Sequence, residues 1–245
     1  MKNTKYQRRF YRDWIKVKDL YLSRIIDKEI DLQILTDKEL AKDFIKEKVG
    51  FYRRKIESYI AKDKRFLTSL KPIAVELNAP LIIRRMSKES SIANVGPMAA
   101  VAGAIAEFIG RGLLRRGCKE VIIENGGDIF LKTKKPRIVG IYSGKSKIWK
   151  GLSLKIRPND SPLGICTSSG TVGHSLSFGY ADSVVILAKN AILADAVATA
   201  ACNRVRKKAD LAKALDFAKS IKGVLGVAII FKKHLLAWGK VEFCK

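Results

Sequence analysis

Asp195 and Thr199 stand four residues apart in LADAVATAA, residues 193–201. On a helix this spacing places a carboxylate and a hydroxyl on one face, one turn apart. Both are hard oxygen ligands. Mg²⁺ takes few protein oxygens and completes its shell with phosphate oxygens and water. The residues around the pair (Ala191, Leu193, Ala194, Val197, Ala198, Ala200, Ala201) are apolar nearly all round. An acid in such a helix needs a partner, so the pair reads as a metal site. The plain alternative is a capping or solvated Asp195, with Thr199 bonded back to a carbonyl.

Three further segments could hold a ligand. Glu124-Asn125-Gly126-Gly127-Asp128 sets paired glycines at a strand end. There backbone N–H groups can face a ligand closely, and Asp128 can accept from a base or a hydroxyl. A bulge or a tight hairpin accounts for the same residues. Cys166-Thr167-Ser168-Ser169-Gly170 offers hydroxyls and turn backbone able to hold a phosphate without net charge, or an ordinary Ser-rich loop. His174 follows four residues later and is the candidate general base, although no acid in the sequence obviously orients it. Asn94-Val95-Gly96-Pro97 opens a helix, a geometry suited to anions. No GxSxG elbow, Walker loop or GxGxxG fingerprint is present.

Charge sets this region apart. The chain carries a formal +25, yet residues 151–200 hold Lys155, Arg157 and Lys189 against Asp160, Asp182 and Asp195. A basic protein that is locally neutral over a polar, turn-rich stretch is expected to build a site there. Elsewhere the cations are scattered singly or in pairs. They read as a solvated surface that attracts anionic ligands rather than as a specific nucleic-acid interface. No run approaches the 18 or so apolar residues of a membrane span. The basic N-terminus has no apolar core behind it, so no signal peptide is expected. Cys118, Cys166, Cys202 and Cys244 form no CxxC pair and are expected to be free thiols in a reducing cytoplasm.

The elements that must position these residues can be sketched from pattern. Strand-like runs surround Tyr11–Tyr21 and Leu22–Leu35, and a helix is expected over 37–61 with Asp37 as its N-cap. LIIRRM, residues 81–86, resembles a strand. A helix opens at Gly96-Pro97 and runs to about Arg116 with a face of small residues, AAVAGAIA. VIIENGGDIFL then forms a strand broken at the glycines. Short strands are expected over 137–143, 152–157, 163–167 and 183–188. Helices are expected over 191–206 and 209–222, and two strands, VLGVAIIF and HLLAWGKVEF, follow. Helices leading into paired strands occur in both halves, a loose internal echo. The fold class is α+β, with mainly antiparallel sheets covered by helices, read as one structural unit over 1–245.

Taken in order, VGPMAAVAGAIAEFIG, ENGGDIF, GICTSSGTVGHSLSFG and ILADAVATAACNRV resemble the ApbE-like superfamily. The wording is most similar to an archaeal and bacterial branch distinct from the characterised transferases. Resemblance to that branch covers most of the chain, with a branch-specific segment over about 1–90 and a superfamily-like core over about 91–245. Resemblance to the transferases themselves covers about 103–205. It implies a duplicated T-fold-like arrangement and an activity that moves FMN from FAD to a protein Thr or Ser with Mg²⁺. By that resemblance Asp195 and Thr199 are metal ligands, and Ala106 falls near a backbone carbonyl ligand. Gly126, Gly127 and Asp128 match the GGD segment beside the flavin nucleotide, and Thr167, Ser168 and Gly170 match the TSG turn. Two departures stand out. His174 is followed by SLSFG, with Ser177 in place of an acid and no proline, and Glu107 replaces a Lys. The expected ligand is therefore a nucleotide-like molecule, FAD or FMN, with Mg²⁺. A protein acceptor and a homo-oligomer are compatible with the sequence. A non-catalytic binder and a basic nucleic-acid binder are the alternatives.

Overall fold

The computed structural model describes residues 19–142, 148–170 and 178–244. His174 and Ser177 lie outside the described residues, as does the strand-like run before residue 19. The chain opens with the hairpin β1 (Tyr21–Asp27) and β2 (Ile30–Thr36), followed by α1 (Lys42–Lys62), the short α2 (Arg65–Thr68) and α3 (Leu81–Ile92). A 3-10 turn at Pro97–Ala100 leads into α4 (Val101–Arg115), and β3 (Val121–Asn125) and β4 (Asp128–Lys132) follow. Next come β5 (Arg137–Gly140), β6 (Ser153–Ile156), β7 (Leu163–Ser168) and β8 (Ser183–Ala188). The chain continues through α5 (Ala191–Asn203), α6 (Leu211–Ser220), β9 (Val224–Phe231), β10 (His234–Gly239) and β11 (Phe243–Cys244).

Eight strands form one antiparallel sheet in the order β1-β2-β3-β4-β7-β8-β9-β10. The echo in the sequence has a structural counterpart. Hairpin, helices, hairpin describes β1 to β4, and the same description fits β7 to β10. The two units meet edge to edge where β4 pairs with β7. Strand alternation gives the sheet two faces. Ile34, Ile123, Phe130, Cys166, Val184 and Ile186 point to the helices. Ile122, Ile129, Ile165 and Val185 point to a second core, capped by the three-stranded sheet β11-β6-β5.

Two elements differ from the sequence reading. LIIRRM is the start of helix α3, not a strand. Ile82, Ile83, Met86 and Ser90 are its buried face, a helical spacing that a six-residue window is too short to display. Asp37 does not cap α1, which begins at Lys42 after Ala41. The Asp37 carboxylate instead accepts the Lys119 N–H at 3.0 and 3.1 Å, fastening the end of β2 to the approach to β3. HLLAWGKVEF also divides. Its first part closes the large sheet, and its last residue, Phe243, joins the small one together with Cys244.

Among the described residues, Pro97–Arg115 is the one helical stretch long and apolar enough to cross a membrane by length and composition. It packs against α5, β3 and β4 inside the molecule. No disulfide joins the four cysteines.

Candidate functional site

Helix α5 is the central element of the site. Asn190 caps it, accepting the Leu193 N–H at 2.8 Å. Every residue from Ala191 to Cys202 is buried, which its Ala-rich sequence permits on all sides. Asp195 and Thr199 therefore sit inside the protein, each only 9% exposed. α5 crosses α4 closely because Gly103 has no side chain; a Cβ there would stand 2.2 Å from the Ala191 carbonyl oxygen. The close crossing lets the Gly103 N–H donate to Asp195 Oδ2 at 2.8 Å.

The β3–β4 hairpin brings the next groups. Gly126 and Gly127 form a two-residue turn with φ of 70° and 102°, conformations that favour glycine. The Gly127 N–H is taken by Glu124 Oε1 at 2.8 Å, so the turn is held from within. Asn125 and Asp128 pair across the hairpin and point to the helix face. Asn125 Nδ2 donates to the Ala102 carbonyl at 3.2 Å, next to the residue that meets Asp195. Asp128 stands opposite Cys166 in the sheet. The Cys166 thiol lies between Asp128 and the Ala191 carbonyl, 3.3 Å from that oxygen.

Burial dominates the electrostatics of this arrangement. Burial pushes the Asp195 carboxyl up to about 7, despite the N–H bonds from α4 that favour its anion. Burial also raises Asp128 well above the ordinary carboxylate range, and the neighbouring Asp195 and Glu124 charges add to the rise. Asp128 Oδ1 and Ser168 Oγ are buried with no hydrogen-bond partner among the described residues. Two acids that cannot both ionise unaided, beside orphaned oxygens, fit a bound cation and a polar ligand. Among the described residues no cluster of three or more His, Cys, Asp or Glu has metal-binding geometry. A metal here would draw on hydroxyl and carbonyl oxygens besides carboxylate.

The sequence-derived residues divide between the two faces of the sheet. Asn125, Asp128, Ser168, Asp195 and Thr199 share the helix face. Thr167 points the other way, into an apolar cavity between the sheets that Glu124, Gly127, Ile122 and Ile165 also line. Ser169 is half-buried. The Gly170 N–H donates to the Ala181 carbonyl at 2.9 Å. Ala106 is buried in α4, one turn beyond Ala102. The sequence reading missed the roles of Ala102 and Gly103; the run of small residues AAVAGAIA was their only signal.

Glu107, the departure from the family pattern, has a defined place. Its Oε2 accepts the Ala191 N–H, the first of α5, at 2.8 Å, and its Oε1 takes the Arg111 guanidinium one turn along α4. The carboxylate thus sits at the positive end of a buried helix. Glu107→Ala is expected to cost about 2 kcal/mol by leaving that N–H and Arg111 unpaired, and Glu107→Lys more. Urea unfolding measures both. A loss under about 0.5 kcal/mol for the Ala variant, the size of a neutral surface change, would contradict this role.

Comparison with known proteins agrees with this architecture. The family described as "AbpE bacteria" matches residues 12–242. A UPF0280 protein of Methanococcus aeolicus is 43% identical over 223 residues, 89% of this chain and 88% of its own length. A UPF0280 protein of Methanocaldococcus jannaschii is 43% identical over 226 residues, 90% of this chain and 91% of its own. Among solved structures, the flavin transferase ApbE from Vibrio cholerae superposes with a TM-score of 0.61 at 12% identity, over 90% of this chain and 97% of that one. The ApbE protein from Thermotoga maritima gives 0.56 at 14% identity over the same shares. At these identities the structural likeness speaks for the fold. The family match spans nearly the whole described length: the chain belongs to the ApbE-like family described as AbpE bacteria.

Proposed function

We propose that this protein binds a flavin nucleotide together with Mg²⁺ and transfers FMN from FAD to a Thr or Ser hydroxyl of a protein acceptor. The observation that carries the reading is the convergence of Asp195 and Asn125 on the first turn of α4, with Asp128 beside Asp195 and with Asp128 Oδ1 and Ser168 Oγ buried and without a hydrogen-bond partner among the described residues. Asp195 and Thr199 would hold the ion, as the family resemblance implies, with a backbone carbonyl near Ala106. When bound, Mg²⁺ supplies charge neutralisation and Lewis acidity to a pyrophosphate. Asn125 is oriented by the Ala102 carbonyl and presents its remaining amide atoms to the ligand. Asp128 and Ser168 offer an acceptor and a donor to ligand hydroxyls. Gly126, Gly127, Ser169 and Gly170 would complete the nucleotide-side wall in this reading, whereas Thr167, on the opposite face of the sheet, falls outside it. His174 is the candidate base that takes the acceptor hydroxyl proton. The acceptor oxygen bonds to the FMN phosphorus as the phosphorus–oxygen bond to AMP breaks.

FAD and Mg²⁺ added together are expected to raise the melting temperature by about 5 °C near a hundredfold excess over Kd. Either alone is expected to do less. No shift with both present would remove the reading. A binder that does not transfer FMN is the second reading, and Glu107 favours it: the charge at that position faces the start of α5 and is committed to Ala191 and Arg111. Mass spectrometry after incubation with FAD, Mg²⁺ and a Thr-containing acceptor separates the two, since only transfer adds the mass of FMN.

A further inference from the structure

We propose that the surface beside the C-terminal end of α5 docks an acidic polypeptide segment and so presents that segment's hydroxyl to the site. Three chain segments meet there. The Tyr180 N–H donates to the Val205 carbonyl at 2.7 Å, just past α5. The Asp182 N–H donates to Ile230 O at 3.0 Å, and the Asp182 carboxylate accepts the Lys232 N–H at 2.5 Å. Burial lowers the pKa of the His234 imidazole, and the charges of Lys208 and Lys233 add to the fall, so cations of both turns act on one group.

The result is a dense cationic face. Arg206, Lys207, Lys208, Lys232 and Lys233 are all exposed. Arg206, Lys208 and Lys233 form no salt bridge among the described residues. Phe178 and Tyr180, 49% and 61% exposed, flank Gly179 on the same segment. Exposed aromatics within a charged rim are a common makeup of protein-binding hot spots. The patch also abuts the candidate site. Arg204 begins it about 7.5 Å along α5 from Thr199, and a Cβ on Gly170 would stand 1.8 Å from the Gly179 carbonyl oxygen.

The charge pattern favours a polypeptide over a nucleic acid. Asp182 and Asp210 lie among the cations, their carboxylates fastened to the backbone N–H groups of Lys232, Arg206 and Lys207. A continuous phosphate track would run against these acids, whereas separate Asp and Glu side chains can fit between them. The role as an acceptor dock rests on the transferase reading; the docking itself does not.

Fluorescence anisotropy of three labelled probes tests the proposal: an Asp/Glu-rich peptide containing one Thr, a Gly/Ser peptide of equal length, and oligouridylate of equal charge. The acidic peptide is expected to bind most tightly, with affinity falling as salt rises. The triple variant Arg206→Glu, Lys208→Glu, Lys233→Glu is expected to lose at least about tenfold. Its melting temperature and its response to FAD and Mg²⁺ should stay unchanged, which separates failure of this surface from failure of the nucleotide site. Oligouridylate binding as tightly as the acidic peptide would overturn the proposal in favour of a nucleic-acid surface. No acidic-peptide binding, or none lost in the variant, would overturn it outright.

Discussion

Asp195→Asn is expected to melt higher than the unaltered protein at pH 8 without metal, and to lose the stabilisation that Mg²⁺ with FAD confers. The folded-state carboxyl titrates near 7 and its unfolded counterpart near 3.8. Its folded pKa is thus the higher one. Its contribution is fully present below about pH 4 and is lost as pH rises toward 7, because the unfolded chain then releases a proton that the folded chain retains. A shift of that size corresponds to several kcal/mol. Asparagine carries no charge to desolvate and can still accept from the Gly103 N–H, so the penalty disappears. The two proteins should therefore differ little at pH 4 and diverge toward pH 8. Mg²⁺ reverses the order, since the carboxylate then has its counter-charge. Binding at pH 6 should release protons, read in calorimetry as a heat that depends on the buffer. Asp195→Ala should weaken Mg²⁺-dependent FAD binding by at least about a hundredfold, the loss expected when a charged ligand group is removed from a buried site. If the Asn variant melts no higher than the parent at pH 8 and still binds FAD with Mg²⁺, Asp195 is a structural acid and the metal site is elsewhere.

The sequence made that carboxylate conspicuous because a single acid in an alanine-rich helix contradicts its surroundings. Paired glycines drew attention to Asp128, and a run of hydroxyls to the residues after Cys166. The sequence could not show which of Ser168 and Thr167 would take the helix face, since alternation parts neighbours but only the register against Asp128 and Val184 decides the side each one takes. The tandem organisation was visible as an echo of helix and hairpin, but the edge pairing of β4 with β7 is a long-range choice that no local pattern encodes. LIIRRM misled because three adjacent apolar residues suit a strand as well as a helix; Met86 only closes that window, and the deciding Ser90 lies beyond it. Gly103 was hidden for a related reason. A glycine among alanines reads as a small-residue face, and its hydrogen bond to Asp195 depends on a partner 92 residues away.

That glycine supports the second large expectation, because one residue of α5 is held from several sides. Ala191 gives its N–H to Glu107, and its carbonyl lies against the Cys166 thiol and the backbone of α4. Its Cα would stand 2.3 Å from a Cβ on Gly164 of β7, as its carbonyl oxygen would stand 2.2 Å from one on Gly103. Both distances are to backbone, so no side-chain rotation relieves them. Gly103→Ala and Gly164→Ala must each push α5 away from a neighbour, at an expected cost of about 3 kcal/mol or more. Gly112→Ala is the internal control. It lies in the same helix as Gly103, and a Cβ there meets nothing within 4 Å. It should stabilise by about 0.5–1 kcal/mol, the ordinary gain of alanine over glycine in a helix. Urea unfolding of the three variants should therefore split them by sign. Gly103→Ala should also lose Mg²⁺-dependent binding of FAD under conditions where it remains folded, because the displaced N–H no longer orients Asp195. If Gly103→Ala and Gly112→Ala shift stability in the same direction, the close crossing of α4 and α5 is not what holds the site together.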